Sequence, residues 1–560
     1  MPRFTFPQAL LAFALGLFLA AFLAVPVGTV AYVAFSDGAG GFTLGHFSSF
    51  FEISLMRESF VNSLYVAGMS VLLASLLAVP LAYLTARLRF RGAVLIQTLG
   101  VLPLVMPSFV GAVAMQLVFG RSGSINLLLG DWLGITLPLM DGLNGVIFVE
   151  TIHYFPFILL NLTTSLSGID GSLEEAAQNL GANGLRLFRR IVFPLAMPGY
   201  IAGASLVFIK VFDDLGTPLV LNVTNMLAPQ AYLRITSVGL DDPFGYVISV
   251  IMVSFSLLSL WIAERFMKKK EYATISRGSV SPAKRRLSPL GAAAAYVFVV
   301  FVLLLVLAPH AGILLLSLGK VWSFTMIPEG YTLEHYATIF QDSPRMIVNT
   351  LLYCTIAAGL DVLIGGAIAY LILRTRVPGR RLLDFAATAA LAIPGVVLAI
   401  GLLRTFRHVE LPFMDGPVTA TWAILVLAYT VRRLPYALRS AISALRQLHV
   451  SLEEAAENLG APKTRAVRRI VVPLVAGGLL AGFVTSFITA SVELSATIVL
   501  TASSTDAPIS YGIYWYLQSI TGRGPGAALG VVAVAIVAVG TYLSHRFVKN
   551  RREPKESEAI

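Results

Sequence analysis

Ionisable side chains within long apolar stretches are the residues of this sequence that could do chemistry. Asp213 and Asp214 lie in the apolar run that follows Pro198, and Glu493 stands 279 positions beyond Asp214. His153 and Tyr154 precede Pro156, and Arg432 and Arg433 precede Pro435 at the same offset. Asp361 occupies a further apolar stretch. A charge in hydrocarbon is costly and is usually retained for function. Carboxylates suit a hard cation, whereas paired arginines suit an anion. Two readings stand side by side. In one, Tyr154, Asp213, Asp214, Arg432, Arg433 and Glu493 line a pathway through a membrane. In the other, Asp214 and Glu493 pair internally with Arg432, Arg433 or helix ends. Counted along a helix from Pro198, Asp214 lies about 24 Å in, near the outer end of its span.

Other chemistries find little to work with. The seven histidines are scattered without metal-ligand spacing, and no G-x-x-x-x-G-K-[ST] phosphate loop occurs. The one cysteine, Cys354, sits in an apolar stretch and excludes a disulfide within the chain. The chain is therefore expected to be no enzyme and to bind no cofactor of its own.

The elements that must position these charges are membrane helices. Of 560 residues, 57% are hydrophobic and only 13% charged, about half the charge of a globular protein. Residues 9–35 carry no charge, enough to cross about 30 Å of hydrocarbon, and read as a retained helix rather than a signal peptide. The net charge of +11 falls in short basic clusters between apolar runs, which argues for membrane loops and against nucleic acid.

The chain repeats itself. Residues 172–195 read SLEEAAQNLGANGLRLFRRIVFPL and residues 451–474 read SLEEAAENLGAPKTRAVRRIVVPL, again at an offset of 279. VNSL at 61–64 returns as VNTL at 348–351, where the offset is 287. Such self-similarity is the mark of duplication. Each half reads as six spans, near 9–35, 63–86, 94–118, 144–167, 197–221 and 244–266, then 290–318, 350–373, 383–404, 417–440, 477–500 and 525–546. The expected fold is all-α, with twelve transmembrane helices in two parallel six-helix repeats, 1–285 and 286–560. Pro103, Pro107 and Pro394 are expected to kink the third spans. Basic residues at Arg87, Arg89 and Arg91, at Arg374, Arg376, Arg380 and Arg381, in the joint at 265–286 and in the tail share one side with the repeated segments. By the positive-inside rule that side, with both termini, is cytoplasmic.

The repeated segment reads as helix, turn, helix. Ser172 with Glu175 and Ser451 with Glu454 fit capping boxes. Glu174 and Glu175 suit a helix N-terminus. Gly181 and Gly460 suit a left-handed C-terminal turn, and Pro194 and Pro473 open the fifth spans.

This segment resembles the cytoplasmic loop of type I ATP-binding-cassette importer permeases. The matching residues are Glu175, Ala176, Ala177 and Gly181, followed by Ile191 to Pro194, and Glu454, Ala455, Ala456 and Gly460, followed by Ile470 to Pro473. Phe193 and Val472 stand where the family has leucine. The resemblance implies that each loop is a coupling helix seated in a cleft of an ATPase subunit. It further implies two such subunits per chain, ATP and Mg bound on them, a periplasmic substrate-binding protein and a bacterial inner-membrane location. FDDLGTPLVL at 212–221 and SVELSATIVL at 491–500 look like ferric-iron importer permeases. Thiamine, aminoethylphosphonate, polyamines and sugar phosphates are the alternative cargoes. An ion-coupled secondary carrier could share the span count but would not need the paired motif.

Overall fold

The computed structural model describes residues 6–90, 92–270, 287–410, 416–518 and 521–552. The boundary at 285/286, the joint residues 271–286 and the last eight residues lie outside them. Among the described residues, twelve helices carry the fold: α1 Phe6–Phe35, α2 Ser54–Arg87, α3 Ser108–Phe119, α4 Leu143–Ser167, α5 Gly184–Asp213 and α6 Pro243–Lys270. The second half supplies α7 Pro289–Leu318, α8 Pro344–Arg374, α9 Gly395–Phe406, α10 Trp422–Gln447, α11 Lys463–Ser491 and α12 Arg523–Arg552. Among the described residues, ten helical stretches are long and apolar enough to cross a membrane, or eleven if the bent pair at Pro394 is one span. The remaining expected span, α10, has 26 residues, but Arg432, Arg433 and Arg439 lower its apolarity.

Proline shapes these helices by local rules. The π-helical turns Ala20–Ala24, Phe188–Val192 and Val467–Val471 each end two residues before a proline, at Pro26, Pro194 and Pro473. Proline cannot donate to the preceding turn, and the wider turn makes room for its ring. Pro194 and Pro473 thus lie inside helices that begin at Gly184 and Lys463, earlier than the sequence predicts.

The third and fifth spans are broken rather than merely kinked. Arg380–Ala392 and Gly395–Phe406 meet at 112° across Ile393 and Pro394. In the first half, a 3₁₀ turn at Leu102–Val105 gives way to α3 through Met106 and Pro107. The fifth spans, expected as 197–221 and 477–500, stop at Asp213 and Ser491. Short helices Gly216–Val220 and Ser495–Leu500 follow.

The halves exchange their first helices. The C-terminal part of α1 packs on α9 of the other half, and α7 packs on α3. Gly401 makes the first contact possible, since a Cβ there would lie 2.6 Å from the Pro26 carbonyl oxygen. Thr405 Oγ1 donates to Thr29 Oγ1 at 3.2 Å, and the Phe22 and Phe406 rings stack at 5.5 Å. On the other side, a Cβ at Gly312 would lie 3.0 Å from Ala114 Cβ.

Candidate functional site

All four broken spans bring their breaks to one place. Asp213, the last residue of α5, reaches across to the second half, and its Oδ1 accepts from Gly395 N, just past the α9 break, at 3.0 Å. Its Oδ2 accepts from Arg432 Nη2 at 2.6 Å. Arg432 Nη1 donates to Glu493 Oε1, also at 2.6 Å. Arg433 bonds the other oxygen of Glu493. The two arginines and both their carboxylate partners are buried. A guanidinium fork between two carboxylates is a geometry that lysine could not reproduce.

Asp214 and Glu493 share a second role. Asp214 Oδ2 accepts from Thr217 N at 2.9 Å, and Glu493 Oε1 accepts from Ala496 N at 3.2 Å. Each carboxylate therefore caps the short helix that follows its break. Asp214 Oδ1 also accepts from Ser108 Oγ at 3.4 Å. Arg432 lies ten residues into α10, and Tyr154 lies eleven into α4. The cluster therefore sits roughly 15 Å along these helices, level with their middles. Asp214 does stand at the end of its helix, as counting from Pro198 suggests, but that end lies level with the middles of α4 and α10.

These groups face a cavity of about 360 Å³ between the halves. All six candidate pathway residues, Tyr154, Asp213, Asp214, Arg432, Arg433 and Glu493, line it. Lys210, one turn before Asp214, lines it too and was not singled out by its sequence context. The two readings of the sequence merge here: Glu493 pairs internally with both arginines and still borders open space. Arg432 stands between the carboxylates of Asp213 and Glu493, whereas Asp214 is held by a hydroxyl and a backbone amide. Glu150, fully buried one turn before Tyr154 in α4, also escaped the sequence reading. Asp361 is buried in α8 on the side of Ser486 and Arg433.

The repeated segments form helices Gly171–Asn179 and Ser451–Asn458. The expected capping boxes do not form. Asp170 Oδ1 accepts from Ser172 N at 3.0 Å, so Ser172 lies inside the first turn. In the second copy Ser451 N donates to His449 Nδ1 at 3.3 Å. The C-terminal turns match the sequence. Gly181 and Gly460 have φ of +84° and +82°. Ala182 N and Ala461 N donate to Ala177 O and Ala456 O at 2.9 and 3.0 Å, closing Schellman turns. Within each motif Glu175, Ala176, Glu454 and Ala455 face outward, while Ala177 and Ala456 are buried. Leu180 and Leu459, each 89% exposed, extend the outward face with apolar surface.

A duplicated helical membrane fold with these loops defines a class. The family model described as binding-protein-dependent transport system inner membrane component matches residues 78–272 and 361–553. The chain belongs to that family, as a fused two-domain type I ATP-binding-cassette importer permease. It is 28% identical to the ferric transport system permease protein FbpB of Actinobacillus pleuropneumoniae, over 85% of this chain and 69% of that one. It is 29% identical to the putative ferric transport system permease protein FbpB 1 of Haemophilus influenzae, over 81% of this chain and 71% of that one. A molybdenum transport system permease protein, ModB of Haemophilus influenzae, is 33% identical over 38% of this chain and 96% of its own.

Proposed function

We propose that this permease carries ferric iron inward, on the strength of the two FbpB relatives that align over most of the chain. Each loop helix, Gly171–Asn179 and Ser451–Asn458, seats one ATP-binding-cassette ATPase subunit, two per chain. ATP and Mg are bound on those subunits, and this chain holds no cofactor. A periplasmic binding protein delivers the cargo to the opposite face. The loop helices and both termini are cytoplasmic in this reading.

The observation that carries it is the duplicated outward face of Glu175, Ala176 and Leu180 and of Glu454, Ala455 and Leu459. Exposed apolar residues at the ends of two equivalent helices mark an interaction surface. Arg432 supports an alternating-access cycle, because it bonds a carboxylate from each half and must release one when the halves part. The arginines and Lys210 favour a second cargo class, an anion, and one relative that matches part of the chain is named for molybdenum transport.

Reconstitution tests both. The permease is purified with its ATPase subunits and placed in liposomes with the loaded binding protein. ATP-dependent uptake of radioactive ferric iron, unaffected by excess thiamine, aminoethylphosphonate, polyamine or sugar phosphate, is the expected result. Uptake of molybdate with no iron uptake would overturn the cargo. Uptake without ATPase subunits would overturn the importer cycle.

A further inference from the structure

One arginine in each half ties three elements together at the end that bears the loop helices. Arg87 is the last residue of α2, and Arg374 is the last residue of α8. Arg87 Nη2 lies 3.0 Å from Glu174 Oε1, in the first turn of the first loop helix. Arg374 Nε lies 2.7 Å from Glu453 Oε1, in the first turn of the second. The same arginines hold the ends of the fourth spans. Arg87 Nη2 donates to Ile169 O at 3.4 Å, and Arg374 Nη2 donates to Leu448 O at 2.7 Å and to Leu445 O at 3.1 Å. Ile169 and Leu448 are equivalents at the offset of 279, as are Glu174 and Glu453; Arg87 and Arg374 are equivalents at 287. All four charged side chains are under a tenth exposed.

A buried guanidinium bonding both a carboxylate and helix C-terminal carbonyls is strongly oriented. The carboxylate makes the bond charge-assisted, and the helix end is the negative pole of its dipole. Above the clamp the two spans are packed backbone to backbone. A Cβ at Gly365 in α8 would lie 2.9 Å from Leu438 N in α10. In α2, Ala67, Ala74, Ala78 and Ala82 are fully buried, and this helix packs on α4. The fourth spans carry His153, Tyr154, Arg432 and Arg433 to the cavity. From Leu448 to Arg432 is about 24 Å of helix, continuous through Pro435.

We propose that Arg87 with Glu174 and Arg374 with Glu453 are positioning pairs that make each loop helix and its second and fourth spans one moving body. A displacement of the loop helix then reaches the cavity arginines through α10, while the broken third and fifth spans flex around them. This rests on the loop helices' being the ATPase docking sites.

The test uses the whole permease with its ATPase subunits and loaded binding protein in liposomes, and reads cargo uptake per ATP hydrolysed. Glu453→Gln is expected to leave the ATPase subunits co-purifying and hydrolysis running while that ratio falls about tenfold, the worth of one charged hydrogen bond. Arg374→Lys keeps the charge but cannot hold Glu453 and Leu448 together, and its fall is expected to be smaller, about threefold. An unchanged ratio in Glu453→Gln with normal co-purification overturns the clamp and leaves the docking reading intact. Failure of the wild-type ATPase subunits to co-purify, or their retention after Leu180→Asp with Leu459→Asp, overturns the docking reading instead. Failure of Arg374→Lys to accumulate in the membrane makes the pair a folding device and also overturns the proposal.

Discussion

The two halves place different residues at equivalent points of the cavity, and the difference is one of charge. Where α4 presents His153 and Tyr154, α10 presents Arg432 and Arg433. Where the first half breaks its fifth span with Asp213 and Asp214, the second has Val492 and Glu493. The backbone has kept its twofold plan while the ion pairs have become one-sided. Both arginines come from the second half, and one reaches a carboxylate of each. Duplication has kept the breaks and caps, whereas the side chains around the cavity have diverged.

Arg432→Gln offers the sharpest break in that comparison. It leaves Asp213 and Glu493 buried with part of their compensation gone, and loss of one partner of a buried ion pair costs about 3–5 kcal/mol. Denaturant melting in detergent should show a fall of that size, while His153→Gln, its counterpart, should change melting by under about 1 kcal/mol. Equal losses would mean that the asymmetry has no energetic content.

Gly395→Ala comes next. A Cβ there would collide with the Arg432 guanidinium and lie 3.0 Å from Glu493 Oε1. Overpacking of this kind costs about 1–3 kcal/mol. Its counterpart Ser108→Ala removes one long hydrogen bond and should cost less than about 1 kcal/mol by the same melting assay.

The loop turns should behave alike in both halves. Replacing Gly181 or Gly460 by valine forces a β-branched residue into the left-handed region, at about 1–2 kcal/mol each. Insertion should survive and uptake in liposomes should be lost. A variant that imports normally would detach the turn from coupling.

Asp214→Asn should be the mildest change. Asparagine caps a helix about as well as aspartate, so melting should move by only a few tenths of a kcal/mol. Any loss of uptake would then report on cargo rather than on fold. Glu493→Gln, which releases Arg432 and Arg433, should lower both melting and uptake, and a silent Glu493→Gln would remove the distinction between the two carboxylates.

Much of this was legible because it is written in local chemistry. Gly181 and Gly460 sit where only glycine is at ease. The six cavity residues stand out as charges or their equivalents in apolar runs. The breaks were harder, since apolarity continues through Asp214 to Leu221 and hides the end of α5. A signal existed: Asp214 and Glu493 stand three residues before Thr217 and Ala496, the spacing of an N-cap. The capping boxes misled because Asp170 and Val450, not the serines, hold the N-cap positions. Glu174 reads as a dipole partner, yet it and its equivalent Glu453 meet arginines some 80 residues away, a separation that no local pattern reveals.

The exchange of first helices sets an order of events for the ribosome. α1 emerges well before α9, since its partner surface there begins at Gly395, 360 residues beyond Phe35. At roughly 5–20 residues per second, α1 waits on the order of 20–70 s in the bilayer before it can dock on α9, although α6, its neighbour in the first half, is made earlier. α7, by contrast, enters a membrane that already contains α3. The second half is thus assembled on a waiting template, and joining both halves in one polypeptide favours α1, held meanwhile against α6, meeting its own α9 rather than that of a neighbouring molecule.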